Sequence, residues 1–115
     1  MTDQITTIAQ VKQHVQDFAD ARGWRSGNGE NAKNMVMALG VEVAELAEIF
    51  MWLHSDDASG VKDNPETYQH VREELADIFW YLCRLCGHLD VDLARAVAEK
   101  TVKNAKKYPV PENMQ

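Results

Sequence analysis

A chain of 115 residues, 45% hydrophobic and 26% charged, has the make-up of one soluble globular domain, large enough for a core but small for a fully self-contained one. Its net charge of −6 argues against nucleic-acid polymers as partners, because those demand a basic stripe. No apolar stretch approaches the ~20 residues that cross a bilayer, and the N-terminus, with Asp3 and no basic region, does not read as a signal peptide, so a cytoplasmic protein without membrane contact is expected.

Almost nothing in the chain alternates with period two, and apolar residues recur at three-four spacing, which predicts an all-α fold of four helices. The first opens at Thr7, whose spacing to Gln10 fits a capping box. It carries Ile8, Val11, Val15 and Phe18 on one face and stops near Gly23. A Gly/Asn-rich loop, Ser26 to Gly29, follows. The second helix is expected from about Asn31 to His54, with the core stripe Val36, Leu39, Val43, Leu46, Phe50 and Leu53. Beside that stripe runs a second lane, Met35, Ala38, Glu42, Glu45, Ile49 and Trp52.

A polar loop is expected from Ser55 to Asp63, after which Asn64-Pro65 supplies an N-cap with proline at the first helical position. The third helix has the core lane Val71, Leu75, Ile78, Leu82 and Leu85, with Gly87 as its C-cap. Between Ile78 and Cys83 it is apolar or aromatic all round, which in so small a protein predicts a second surface buried in an oligomer. The fourth helix, capped by Asp90 or Asp92, carries Leu93, Ala96 and Val97. It then places Lys100, Asn104 and Lys107 on one face and ends at Tyr108-Pro109.

Chemistry concentrates in two acid pairs, Glu42 with Glu45 and Glu74 with Asp77, each three residues apart and so on one helix face. No Lys or Arg lies three or four residues from any of the four. Two carboxylates ~4 Å apart at an effective dielectric of ~20 repel by roughly 4 kcal/mol. Such acids must enclose something positive, be protonated, or stand far apart. A divalent cation is the economical solution, and carboxylate oxygens are hard ligands suited to Mg²⁺ or Mn²⁺. The bland alternative is a solvated acidic face, but such faces normally interleave basic residues, whereas this lane interleaves Met, Ile and Trp.

Glu48 and Glu73 lie beside the lane as further ligands, supporting groups or solvent-facing acids. Trp24, Trp52 and Tyr81 are candidates for stacking on a base, Trp52 foremost because it continues the acid lane; Trp80 reads as core. Cys83 and Cys86 form a lone C-x-x-C in a helical pattern and read as buried packing thiols rather than a redox or zinc site. His54, His70 and His88 read as surface or loop residues without a role.

The run Glu42-Val43-Ala44-Glu45-Leu46-Ala47-Glu48 with Phe50 and Trp52, followed by Glu73-Glu74-Leu75-Ala76-Asp77, resembles the MazG-type all-α nucleoside triphosphate pyrophosphohydrolases, most of all their dCTP pyrophosphatase branch. The E-x-x-E and E-x-x-D halves of the family signature are both present. The likeness extends from Arg22-Gly23-Trp24 through Lys33-Asn34 to Lys100, Asn104 and Tyr108-Pro109. Two features depart from it. Val41 stands where many members have a first Glu, as also fits the dCTP branch, and the loop between Trp24 and Asn34 lacks the His expected of that branch.

The resemblance implies a four-helix bundle-like subunit that assembles as a dimer or a dimer of dimers, a homotetramer. It implies Mg²⁺ held by Glu42, Glu45, Glu74 and Asp77, and hydrolysis of (deoxy)nucleoside triphosphates to monophosphate and pyrophosphate, as house-cleaning of the nucleotide pool with dCTP-like substrates. Glu45 or Glu48 would accept the proton of the attacking water. Trp24, Asn34, Trp52, Tyr81, Lys100, Asn104 and Tyr108 would contact substrate; Lys100 and Lys107 also fit as cations that a helix C-terminus favours. Two other classes compete. A di-iron carboxylate bundle needs Glu-x-x-His on two helices, and Glu74 is followed at that step by Asp77. A non-catalytic acidic adaptor for a basic partner would keep the acids without needing Trp52, Lys100 and Asn104 to converge on them.

Overall fold

Thr7 and Gln10 form the expected capping box, each side chain bonding the other's backbone N–H, and this starts α1, Ile8–Ala21. Gly23, at φ +71°, closes it: the Gly23 and Trp24 N–H groups donate to the Asp20 and Ala19 carbonyls in a Schellman turn that a side chain would strain. The computed structural model describes residues 1–24 and 31–115, all helical or irregular; the expected Ser26 to Gly29 loop lies outside the described residues.

Helix α2, Ala32–Met51, starts where Asn31 accepts the Asn34 N–H, and ends three residues before the expected His54, with Trp52 as its C-cap. The expected polar loop is instead mostly helical: α3, Ser55–Ala58, runs into a 3₁₀ turn, Ser59–Asp63. Asp56 and Asp57 in the first turn of α3 favour it through the helix dipole, a signal that composition alone reads as loop. Helix α4, Pro65–His88, has the expected Asn64 cap and N-terminal proline. Gly87 lies inside it, not beyond it. The left-handed position at its end belongs to Asp90, at φ +54°, and the Val91 N–H closes back on the Cys86 carbonyl. Of the two acids proposed as the cap of α5, Leu93–Lys107, Asp92 holds the place by accepting the Arg95 N–H.

The core lies where α1 and α2 pack on α4. Val15, Ala19, Cys83 and Cys86 are buried, and both thiols are free, in keeping with packing roles. Phe18 meets Trp80 edge-on at 5.0 Å between centroids, which locks α1 to α4 and gives Trp80 the structural place expected of it. Lys12 Nζ donates to the Val91 carbonyl and pins the α4–α5 turn to α1.

The expected core stripes are realised only in part: Val71 on α4 is buried, and Leu39, Leu46 and Phe50 on α2 and Ile78, Leu82 and Leu85 on α4 are half-buried. On α2 the acid lane turns partly inward, with Met35 buried and Ala38, Glu42 and Ile49 half-buried, while Val36, Val43 and Leu53 of the expected core stripe are exposed. On α4, Leu75 is 51% exposed whereas Glu74 is 8% exposed. Periodicity located both apolar lanes but not which residues of each a single subunit buries. Helix α5 makes few contacts with the remaining described elements. The radius of gyration of 17.5 Å accordingly exceeds the roughly 13 Å of a compact chain of this length. The four long helices are therefore those expected, but α5 does not close them into a bundle within one chain.

Candidate metal centre

Because α2 presents its acid lane to α4, Glu42 and Glu45 meet Glu74, and one oxygen from each of the three lies within 4.8 Å of the others. Charges at that spacing would repel by about 3.5 kcal/mol per pair at a dielectric of ~20. The response is visible at Glu42, whose pKa is raised from 4.5 to about 7. Burial is the main cause, followed by a hydrogen bond to Glu74 and then by the negative charges of Glu45, Asp77 and Glu74. Without a cation, the cluster therefore keeps a proton near neutral pH.

Glu42 Oε2 and Glu74 Oε2 are buried, and among the described residues neither has a hydrogen-bond partner beyond the contact between the two carboxyl groups themselves. Buried carboxylate oxygens are normally satisfied. Two such atoms on facing helices, with Glu45 open to solvent at their edge, form a hard-oxygen donor set that fits Mg²⁺ or Mn²⁺ and leaves room for further ligands. Asp77 is exposed one turn beyond Glu74, outside this triplet but near enough to act on Glu42 through its charge.

A cleft of about 560 Å³ opens beside the triplet, within the range of small-molecule sites. From the α2 side it is lined by Glu45, Glu48, Ile49, Trp52 and Leu53, and from α4 by Thr67, His70 and Glu74. Trp52, 81% exposed, stands as a free aromatic face at the cleft wall. Thr67 has no place in the sequence reading, and His70 reads there as a surface or loop residue without a role. The signal was present for His70: it sits four residues before Glu74, and its Nε2 lies 3.5 Å from Glu74 Oε1. A second hollow of about 530 Å³, lined by residues such as Val11, Phe79 and Trp80, carries one acid, Asp3, and none of the clustered carboxylates.

The remaining candidates lie elsewhere. Trp24 packs edge-on against Phe18 at 5.8 Å, and its carbonyl accepts from buried Arg84 at 3.5 Å. The Asn34 backbone completes the cap of α2, two helical turns before Glu42. Tyr81, half-buried, follows Asp77 by one turn of α4. Glu73 is exposed and accepts from Gln69, so it faces away from the triplet. Lys100 and Asn104 share a shallow hollow on α5 with Ala96, Val97 and Thr101, and Tyr108 caps that helix beneath the Lys107 ammonium. Within one chain these α5 residues do not line the acid cleft. His54 and His88 are exposed.

Comparison with known proteins identifies the family and the fold. The profile of the MazG-like family matches residues 37–115. The chain is 34% identical over 104 residues to dCTP pyrophosphatase 1 of Rattus norvegicus and 32% identical over 103 residues to that of Homo sapiens, in each case over 90% of its own length. It spans about 60% of the length of these curated relatives. A crystal structure of a pyrophosphatase from Archaeoglobus fulgidus superposes with a TM-score of 0.81 at 32% identity, covering 96% of this chain and 99% of that one.

Proposed function

Because the chain belongs to the MazG-like family, we propose that it is a nucleoside triphosphate pyrophosphohydrolase that uses Mg²⁺, or Mn²⁺ in its place, and favours dCTP-like substrates. The reading is carried by one observation: three carboxylates from two helices converge within 4.8 Å around buried oxygens that, among the described residues, no group outside the cluster satisfies. A divalent cation bound there neutralises the triphosphate and lowers the pKa of water.

Glu42, Glu45 and Glu74 would hold the cation, and Asp77, from the next turn of α4, would join them. Glu42 would have to give up its proton to serve as a ligand. Water adds to a phosphorus, the phosphoanhydride bond breaks, and pyrophosphate leaves the nucleoside monophosphate. The proton of the water passes to Glu45 or Glu48, both of which line the cleft. Trp52 offers its exposed ring to the base, and Ile49 and Leu53 shield the wall beneath it. Trp24, Asn34, Tyr81, Lys100, Asn104 and Tyr108 belong to the substrate-contacting set of the same proposal.

The subunit is proposed to act as a dimer or a dimer of dimers. Val36 and Val43 on α2, and Leu75 and Phe79 on α4, are apolar side chains left exposed on one chain, and assembly would cover them. Light scattering that gives a monomer at working concentration would refute this part.

The decisive experiment incubates the purified protein with Mg²⁺ and a panel of ribo- and deoxynucleoside triphosphates and measures monophosphate and pyrophosphate. Turnover with dCTP-like nucleotides leading is expected, and Glu42→Gln, Glu74→Gln or Asp77→Asn should abolish it. Folded protein that turns over no nucleotide would leave the adaptor reading in place of the enzyme.

A further inference from the structure

We infer that His70 is a positioning residue for the metal ligand Glu74, which it holds by one carboxylate oxygen so that the other faces the cation. The inference rests on the metal site proposed above. It starts from a division between the two oxygens of Glu74. Oε1 lies 3.5 Å from His70 Nε2, while Oε2 is buried and, among the described residues, has no partner beyond the Glu42 carboxyl. The side chain of Glu74 is 10% exposed and that of His70 is 57% exposed, so the imidazole reaches a buried carboxylate from the solvent side of the cleft.

An ordinary exposed pair at this spacing contributes little to helix stability. Here the partner belongs to the ligand triplet, which changes what the contact does. A carboxylate with both oxygens free can rotate and bind a cation through either one. A ring N–H set against Oε1 removes that freedom and leaves Oε2, the buried oxygen, for the cation. Hydrogen bonds of this kind to a ligating carboxylate typically govern metal affinity by 10–100-fold. The 3.5 Å separation is longer than a typical N–H···O hydrogen bond, and the positioning role requires it to shorten by a few tenths of an ångström. The donor must be Nε2–H, which the neutral ring supplies.

The same structure shows which substitute can do this work. Gln13 and Gln16 donate from Nε2 to the acid four residues on at 2.7 Å, and Gln69 does so to Glu73 at 3.2 Å. A glutamine at position 70 can therefore donate to Glu74 without being a histidine.

The test is calorimetric titration of Mn²⁺ into the full chain, without nucleotide, for wild type, His70→Ala and His70→Gln, together with thermal melts of the metal-free proteins. Loss of about tenfold in Mn²⁺ affinity in His70→Ala, with His70→Gln recovering most of it and all three melting alike, supports positioning. In turnover, His70→Ala should raise the metal concentration needed for half-maximal rate, and His70→Gln should bring it most of the way back. Wild-type affinity in His70→Ala overturns the inference. Equal loss in both variants overturns it too, because it would make the imidazole itself a ligand. A wild-type chain that takes up no Mn²⁺ would bring down the metal-site reading first, and this inference with it.

Discussion

Replacing Glu42 by Gln should remove a pH-dependent strain from the metal-free protein. The wild-type carboxyl has its pKa raised from 4.5 to about 7 by folding, so the native state binds this proton more tightly than the unfolded chain does. Its contribution to stability is fully present below about pH 4.5 and is lost as the pH climbs through about 7. At about 1.4 kcal/mol per pH unit the full displacement corresponds to roughly 3 kcal/mol. Glu42 is only half-buried, and water screens part of the repulsion, so a loss of about 1–2 kcal/mol is expected.

For a chain of this length that amounts to roughly 4–8 °C in melting temperature. The amide of Glu42→Gln can still donate to Glu74 but cannot ionise. Melts in a chelator at fixed protein concentration, near pH 5 and near pH 8.5, should show wild type losing that much more than the variant. Saturating Mg²⁺, at about 100 times its Kd, should raise wild-type stability by roughly 2.7 kcal/mol at the higher pH and do far less for the variant. Parallel pH profiles for the two proteins would refute the reasoning, because Glu42 would then not be held protonated by its neighbours.

Trp52→Ala should raise the nucleotide KM by roughly five- to tenfold, in line with the 1–3 kcal/mol typical of a base–aromatic stack at its lower end, while an 81% exposed ring leaves the melting temperature unmoved. An unchanged KM would take Trp52 out of the site. Cys83→Ala deletes one fully buried atom from the α4 core and should cost about 1–2 kcal/mol in urea denaturation with activity retained; a neutral result would mean the pocket around the thiol is not packed. Val43→Lys places a charge on the exposed apolar lane of α2 and should shift light scattering toward smaller species without altering the metal triplet, whereas an unchanged mass would exclude Val43 from any subunit contact.

Helix positions were legible in the sequence wherever a local group enforces them. The Thr7–Gln10 box and the Asn64 cap act within four residues and do what their spacing implied, Asp92 takes one of the two cap positions expected for α5, and α1 stops near Gly23 as expected. The meeting of Glu42, Glu45 and Glu74 was readable for a different reason: acids without local counter-ions in an apolar lane must be resolved by tertiary contact. What spacing does not carry is helix rotation. Met35 and Val36 are both apolar, and only packing on α4 decides that Met35 is buried and Val36 is not. His70 reads from sequence as a surface or loop residue without a role because a polar residue on an exposed helical face has no periodic signature; its meaning comes from the acid four residues on. Lys100 and Asn104 lie on a helix that folds little against its own chain, so their distance from the acids is not a property of local sequence.

The partial burial of the acid lane leaves Val36 and Val43 of α2 facing the outside of the subunit, one residue around the helix from Met35 and Glu42. Whatever seats on Val36 and Val43 therefore also sets the roll of the rod on which Glu42 and Glu45 are mounted. Since a roll of a few degrees swings a long acidic side chain by a sizeable fraction of an ångström, a mutation on that outer lane can detune cation binding without coming near the cation.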